Sequence, residues 1–164
     1  MAETLNVADM LPNKFEPKRK NRFVLAIEGI DSFLIKTTGR PKWSGGTMEL
    51  PFINSYRRIA NGRAKWDAIT VTLYDPIAPS GAQQVMEWIR THNETVSGRA
   101  GYADFYKRDI QIKILDPIGT VVELWDIKGA FLTSVGFNDL SYDDSGTPHD
   151  ISLSIDFDNC ILQF

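Results

Sequence analysis

"AKWDAITVTLYD", Ala64 to Asp75, alternates without a break. Trp66, Ala68, Thr70, Thr72 and Tyr74 fall on one side, and Asp67, Ile69, Val71 and Leu73 on the other. A period of two residues marks a strand whose successive side chains point to opposite faces of a sheet. The Ile69, Val71, Leu73 face is apolar enough to join a core. The second face, with a tryptophan, two threonines and a tyrosine, is unlike ordinary solvent surface. What that face meets is the question the stretch raises.

Similar segments flank it. In "RFVLAIEGI" (Arg22 to Ile30), Phe23, Leu25 and Ile27 share a face, and "FLIKTTG" (Phe33 to Gly39) follows after "DS". So short a connection predicts a hairpin. Further on, "DIQIKILD" (Asp109 to Asp116) alternates Ile110, Ile112 and Ile114 with Asp109, Gln111 and Lys113. "PIG" turns the chain into "TVVELWDIKG" (Thr120 to Gly129), where Val122 and Leu124 are expected on the core side and Glu123 and Trp125 on the other. "AFLTSVG" extends that strand, "SYDDSGTPH" reads as a long acidic turn, and "DISLSIDFD" (Asp150 to Asp158) closes with Ile151, Leu153, Ile155 and Phe157 on one face. Only "SGAQQVMEWIRTHNE" changes period. Val85, Trp88, Ile89 and His92 recur at i, i+3, i+4 and i+7, which predicts an amphipathic helix with Ser80 as its N-cap. The sum is a mainly β chain, an antiparallel sandwich or barrel of about seven strands with one packed helix.

Two segments stand outside this pattern. Residues 1–20 are polar, carry Pro12 and Pro17 and show neither period, so they read as a flexible N-terminal arm to a domain of residues 21–164. From Arg40 to Arg63, Gly45-Gly46, Pro51 and Asn61-Gly62 punctuate short extended pieces. A connection of this length inside a compact domain is often functional.

Composition narrows the function. A net charge of −3 argues against tight binding to a phosphate backbone, and "PKRK" (Pro17 to Lys20) reads as a solvated charge run. A single cysteine, Cys160, excludes an internal disulfide and reads as a small apolar residue. No apolar run approaches the roughly 20 residues that span a bilayer, and the first residues lack the apolar block of a signal peptide, so synthesis and folding in the cytosol are expected. The two histidines, His92 and His149, have no metal-ligand spacing, and "SYDDSG" lacks the alternating ligands and closing Glu of a calcium loop. "SGG" and "NGR" do not sit between a strand and a helix as phosphate cradles do. No catalytic constellation emerges, and the expectation is a protein that is no enzyme and holds no cofactor or metal.

At "IKGAFLTSVG" (Ile127 to Gly136), behind the aromatic-led strand and a helix ending in "VMEWI", the chain resembles the tail tube proteins of contractile-tailed, T4-like bacteriophages, a family with an Hcp-like fold. The resemblance runs from about Arg22 to Phe157. It rests on Ile127-Lys128-Gly129, a large residue at Phe131, then Thr133 and Val135-Gly136, on the "YRRIANGRAKWDAITVTLYD" junction, and on the closing "ISLSIDFD". The family often has Pro before the Thr, where this chain has Leu132.

What the resemblance implies is specific. The fold is two packed antiparallel sheets with a flanking helix. Subunits form hexameric rings that stack into a hollow tube, the conduit for DNA ejection. Partners are further copies of the chain, a sheath protein outside, baseplate and tail terminator proteins at the ends, and tape measure protein and phage DNA inside; no membrane is involved. The protein is made in the host bacterial cytoplasm and carried in the virion tail. A sheet between its own core and a neighbour or lumen answers the opening question, and closing six sheets into a barrel removes exposed edges. Trp43 to Arg63 is then expected to be an extended loop reaching a neighbour, and the expected contacts are Trp43, Leu50, Phe52, Ile53, Tyr56, Arg57 and Arg58 of the loop and Trp66 of the strand after it. Asp109, Gln111, Lys113 and Glu123 are expected to line the lumen, where like charge keeps DNA from sticking. Close alternatives are the tube of a tailocin, of an extracellular contractile system or of a type VI system, and a baseplate tube initiator. A monomeric β-barrel ligand-binding module is the alternative from another class.

Overall fold

In the computed structural model, which describes Met10 and residues 14–164, the alternating segments form one large antiparallel sheet. Its strands are β1 (Phe23–Ile27), β2 (Ile35–Thr38), β7 (Ile69–Tyr74), β8 (Arg108–Leu115), β9 (Val121–Phe137), β10 (Asp150–Asp156) and β11 (Asn159–Leu162). Four more strands, β3 (Lys42–Ser44), β4 (Thr47–Phe52), β5 (Ser55–Ala60) and β6 (Lys65–Asp67), form two small two-stranded sheets. Among the described residues from 14 onward the α-helices are α1 (Gly81–His92) and the one-turn α2 (Ala103–Tyr106).

Strand order is β1-β8-β9-β10-β7-β2, with β11 on β9. β9 belongs to both halves of the sheet: its first part pairs with β8 and β11, its second with β10. Between the parts its inward face slips by one residue. Glu123 and Ile127 are buried at odd positions, then Ala130 and Leu132 at even ones. Gly129 makes the slip possible, with φ +67 in the left-handed region, while β8 skips from Arg108↔Ala130 to Ile110↔Ile127. This is a bulge with a glycine at the turning point. Asp109 fastens it, accepting from Lys128 Nζ (2.6 Å) and the Gly129 N–H (3.4 Å).

The two halves enclose one core. Leu25, Ile110, Ile112 and Ile127 from one half meet Val71, Leu73, Leu153 and Ile155 from the other, and Val85 and Trp88 of α1 enter the same cluster. The predicted hairpin of β1 with β2 does not form. β1 pairs with β8 and β2 with β7, at the two edges of the sheet, and the chain crosses between them through a 3-10 turn at Ser32–Leu34. Leu34 is buried there, so the short connection draws the two edges toward each other over the core. A sheet curled in this way is a sandwich or barrel made from one sheet.

The stretch Ala64 to Asp75 is two strands, not one. The ladder breaks at Ala68, and Trp66 packs against the core beside Phe157, ring centroids 6.3 Å apart, instead of joining the Thr70, Thr72, Tyr74 face. Alternation therefore holds only within β7. The helix lies where its period predicts, and Ser80 Oγ accepts from the Gln83 N–H (3.4 Å). Its apolar stripe ends a turn early: His92 is exposed and stacks on Tyr106 at 4.5 Å. β11 and α2 carry too few periodic positions to be read from sequence. Cys160 of β11 is buried, and burial, then the nearby charge of Asp126, pushes its thiol up to about 11. Of the expected N-terminal arm, residues 1–9 and 11–13 lie outside the described residues.

Candidate assembly surfaces

The segment expected as an extended loop is a β-hairpin extension. β3 pairs with β6 at its base, and β4 with β5 beyond the Gly45-Gly46 and Asn61-Gly62 hinges. Its register sorts the side chains into two faces. Met48 lies opposite Ile59, Leu50 opposite Arg57 and Phe52 opposite Ser55. The other face holds Glu49 opposite Arg58 and Pro51 opposite Tyr56. That second face is internally satisfied, with an Arg58–Glu49 ion pair at 2.9 Å and the Arg58 guanidinium 5.0 Å from the Tyr56 ring centroid. On the first, Met48, Phe52 and Ile59 are exposed apolar side chains and Leu50 is only partly covered.

At the tip, Ile53 has φ +43 and is fully exposed. A β-branched residue there is strained where Gly or Asn would not be, which fits a residue chosen for what it touches. Trp43 stands opposite Trp66 across the base; Trp43 is exposed while Trp66 is tucked against the core. A lone two-stranded ribbon is marginal in water.

Asp109, Gln111 and Lys113 lie on the outward face of β8, opposite the buried Ile110, Ile112 and Ile114. They belong to a polar ladder: the Gln111 and Gln163 amides each donate to Asp126 at 2.9 Å, and Lys128 pairs with Asp109. The Lys128 hydrogen bond, against a smaller effect of burial, holds the Asp109 carboxyl below its usual value. The other half of the sheet has a different outer face. Thr72 lies opposite both Thr37 and Ser152, Thr70 opposite Ser154, and Ser154 opposite Ser134, a patch of hydroxyls without charge.

Glu123 is not on an outward face. The expected assignment is reversed: Val122 is exposed, and Glu123 is 5% exposed on the core side. Its carboxylate accepts from Lys18, from Arg40 (2.5 Å) and from the Trp125 indole N–H. Burial pushes the carboxyl up, but Lys18, Trp125 and Arg40 outweigh it, and its pKa falls below the ordinary value. This cluster ties residue 18 and the connection between β2 and β3 onto the start of β9. Among the described residues no group of three His, Cys, Asp or Glu side chains converges as a metal site, and no helix is long and apolar enough to cross a membrane.

No family model and no curated protein sequence matches the chain. Solved structures do. The chain is similar over 98% of its length to 99% of a chain in the sheath–tube complex of an extracellular contractile injection system, PVC, in the extended state, at 16% identity and a TM-score of 0.70. It is similar over 97% of its length to 99% of a chain in the anti-feeding prophage tube-terminating cap, at 16% identity and a TM-score of 0.74. With Hcp1 from Flavobacterium johnsoniae the likeness covers 87% of this chain and 94% of that one, at 11% identity and a TM-score of 0.51. The chain has a contractile-injection tube fold.

On this tube fold the residues expected to make contacts separate into groups. Leu50, Phe52 and Arg57 share the apolar face of the extension, Tyr56 and Arg58 the opposite one, Ile53 the tip, and Trp43 and Trp66 the base. The same apolar face also carries Met48 opposite Ile59, which are not among the residues expected from sequence. Their signal was the register of "TMELPF" against "SYRRIA", legible only once the segment is taken as a hairpin.

Proposed function

We propose that the chain is a structural tube subunit: hexameric rings that stack into the inner tail tube of a contractile phage, the conduit for DNA ejection. The observation that carries this is the hairpin extension, whose apolar Met48, Leu50, Phe52 and Ile59 face is left uncovered on a tube fold matched end to end. Apolar surface projected in this way marks a protein contact, and a second copy is the partner such a fold supplies. Residues 1–20 form the arm and 21–164 the tube domain in this reading. Sheath protein covers the outside, baseplate and terminator proteins the ends, and tape measure protein and then DNA the channel. Electron microscopy of the purified chain tests it. Rings or tubes are expected, and a uniform monomer overturns it. A second reading, the tube of an extracellular contractile injection system, is favoured by the higher TM-scores to such particles.

The lumen is assigned to the outward polar ladder of Asp109, Gln111 and Lys113; burial removes Glu123 from that set. Gln111→Lys adds one positive charge per subunit, repeated along the channel, and phosphates passing it are attracted more than salt fully screens. Normal tubes with slower, salt-sensitive DNA delivery are expected. Unchanged delivery would shift the lumen to the hydroxyl face of Thr70, Thr72, Ser152 and Ser154.

A further inference from the structure

Charge is divided along this chain. Residues 14–22 carry Lys14, Lys18, Arg19, Lys20 and Arg22 against Glu16 alone, whereas residues 129–164 carry six aspartates and no lysine or arginine. The fold sets residue 18 beside Glu123 near the start of β9, and the loop 138–149, with three of those aspartates, follows the end of β9. Near the start of that strand, Lys18, Arg19, Lys20, Arg22 and Arg40 line a cavity of about 370 Å³. Its apolar lining is Phe23, Ile112 and Ile114, and Ile114 lies opposite both Phe23 and Glu123 in the sheet. Lys18 and Arg40 already hold Glu123. Among the described residues, Arg19 has only Glu16 at 4.0 Å, and Lys20 and Arg22 pair with no acid.

At the far end β9 runs into the exposed loop 138–149. It presents Asp139, Asp143 and Asp144 together with two apolar side chains held out in water, Leu140 at 76% and Tyr142 at 109% exposure. The loop has a set shape: the Asp144 carboxylate accepts from the Gly146 and Thr147 N–H groups, and the Asp143 N–H donates to Ser141 Oγ, each at 3.2 Å.

We infer that the basic cavity of one copy receives the acidic loop of another, with Asp139 and Asp143 against Arg19, Lys20 and Arg22, and Leu140 or Tyr142 against the half-buried Phe23 of its lining. The inference rests on the tube reading and names the contact that joins copies end to end. Exposed ion pairs alone contribute little; here the apolar side chains add burial, and the opposed charges fix orientation and speed encounter. Because the loop and the cavity are two different surfaces of the same chain, the contact is head to tail. Every copy gives a loop and accepts one, and a contact of this kind that does not close on itself builds a stack.

The test uses two full-length variants. One carries Arg19→Glu with Lys20→Glu; the other carries Asp139→Lys with Asp143→Lys. All four positions are exposed, and Lys18, Arg40 and Asp144, which hold other groups, are left alone. Circular dichroism should match the parent chain for both. Each variant alone is expected to form about tenfold less sedimentable tube, or less still. Mixed in equal amounts they should recover it, because each loop then meets a cavity of opposite charge. If either variant assembles alone like the parent, or folded variants fail to rescue one another, the inference is overturned while the tube reading stands. A parent chain that stays monomeric overturns both.

Discussion

Glu123→Lys is expected to cost the fold most of its stability, on the order of 3–5 kcal/mol. The position is 5% exposed and already faces Lys18 and Arg40, so a third cation would have neither water nor a partner. The cluster is asymmetric in a way that sharper variants expose. The Lys18 and Arg40 side chains are 53% and 60% exposed and can turn to solvent, while the Glu123 side chain is 7% exposed and cannot. Glu123→Gln keeps an acceptor for the Trp125 indole and should cost about 1–2 kcal/mol. Lys18→Met with Arg40→Met strands the carboxylate and should cost about 3–5 kcal/mol. Denaturant melts check the order, and a Gln variant less stable than the double Met variant would refute it. The sign with pH follows from the lowered carboxyl. Its contribution is complete above the unfolded value of 4.5 and is lost as pH falls below that through the folded value. Over that acid window the parent should lose its advantage over Glu123→Gln.

The same residue marks where the sequence stops being readable. Alternation along Thr120 to Gly129 offers two faces, and the rule that charge points outward selects the wrong one. The partners that reverse it lie 105 and 83 positions away, at Lys18 and Arg40, and no local pattern contains them. The slip at Gly129 adds to the difficulty, since one unbroken period cannot serve both halves of β9. Where a pattern is local and unbroken the reading holds: α1 with its Ser80 cap, the β8–β9 hairpin, and the inward Ile151, Leu153 and Ile155 of β10. Where strands are placed by distant partners it does not. β1 and β2 look like a hairpin because they are close in sequence, yet each is claimed by a different edge. The extension was legible as apolar and long, but its two faces needed a register that glycine hinges conceal.

Excising Thr47–Ala60 and joining Gly46 to Asn61 is expected to abolish assembly and leave the domain intact. The join is a short one, because the Asn61 N–H already donates to the Gly46 carbonyl at 2.7 Å. It removes β4 and β5 as a unit while leaving β3 paired with β6 and Trp66 against Phe157. None of the excised side chains belongs to the core cluster, so the melting temperature should move by only a few degrees, within what about 1 kcal/mol produces. Assembly is another matter. The Met48, Leu50, Phe52 and Ile59 face and the strained Ile53 tip go together, and with them the apolar area that offsets the cost of ordering a ribbon marginal by itself. A partial version separates surface from length: Met48→Ser, Phe52→Ser and Ile59→Thr keep both strands and the Glu49–Arg58 face, and should reduce assembly nearly as far as the excision. Sedimentation and electron microscopy read the outcome. Long tubes from the excised chain would mean that the extension joins nothing. Tubes from the triple variant alone would mean that the Tyr56 and Arg58 face, not the apolar one, meets the neighbour.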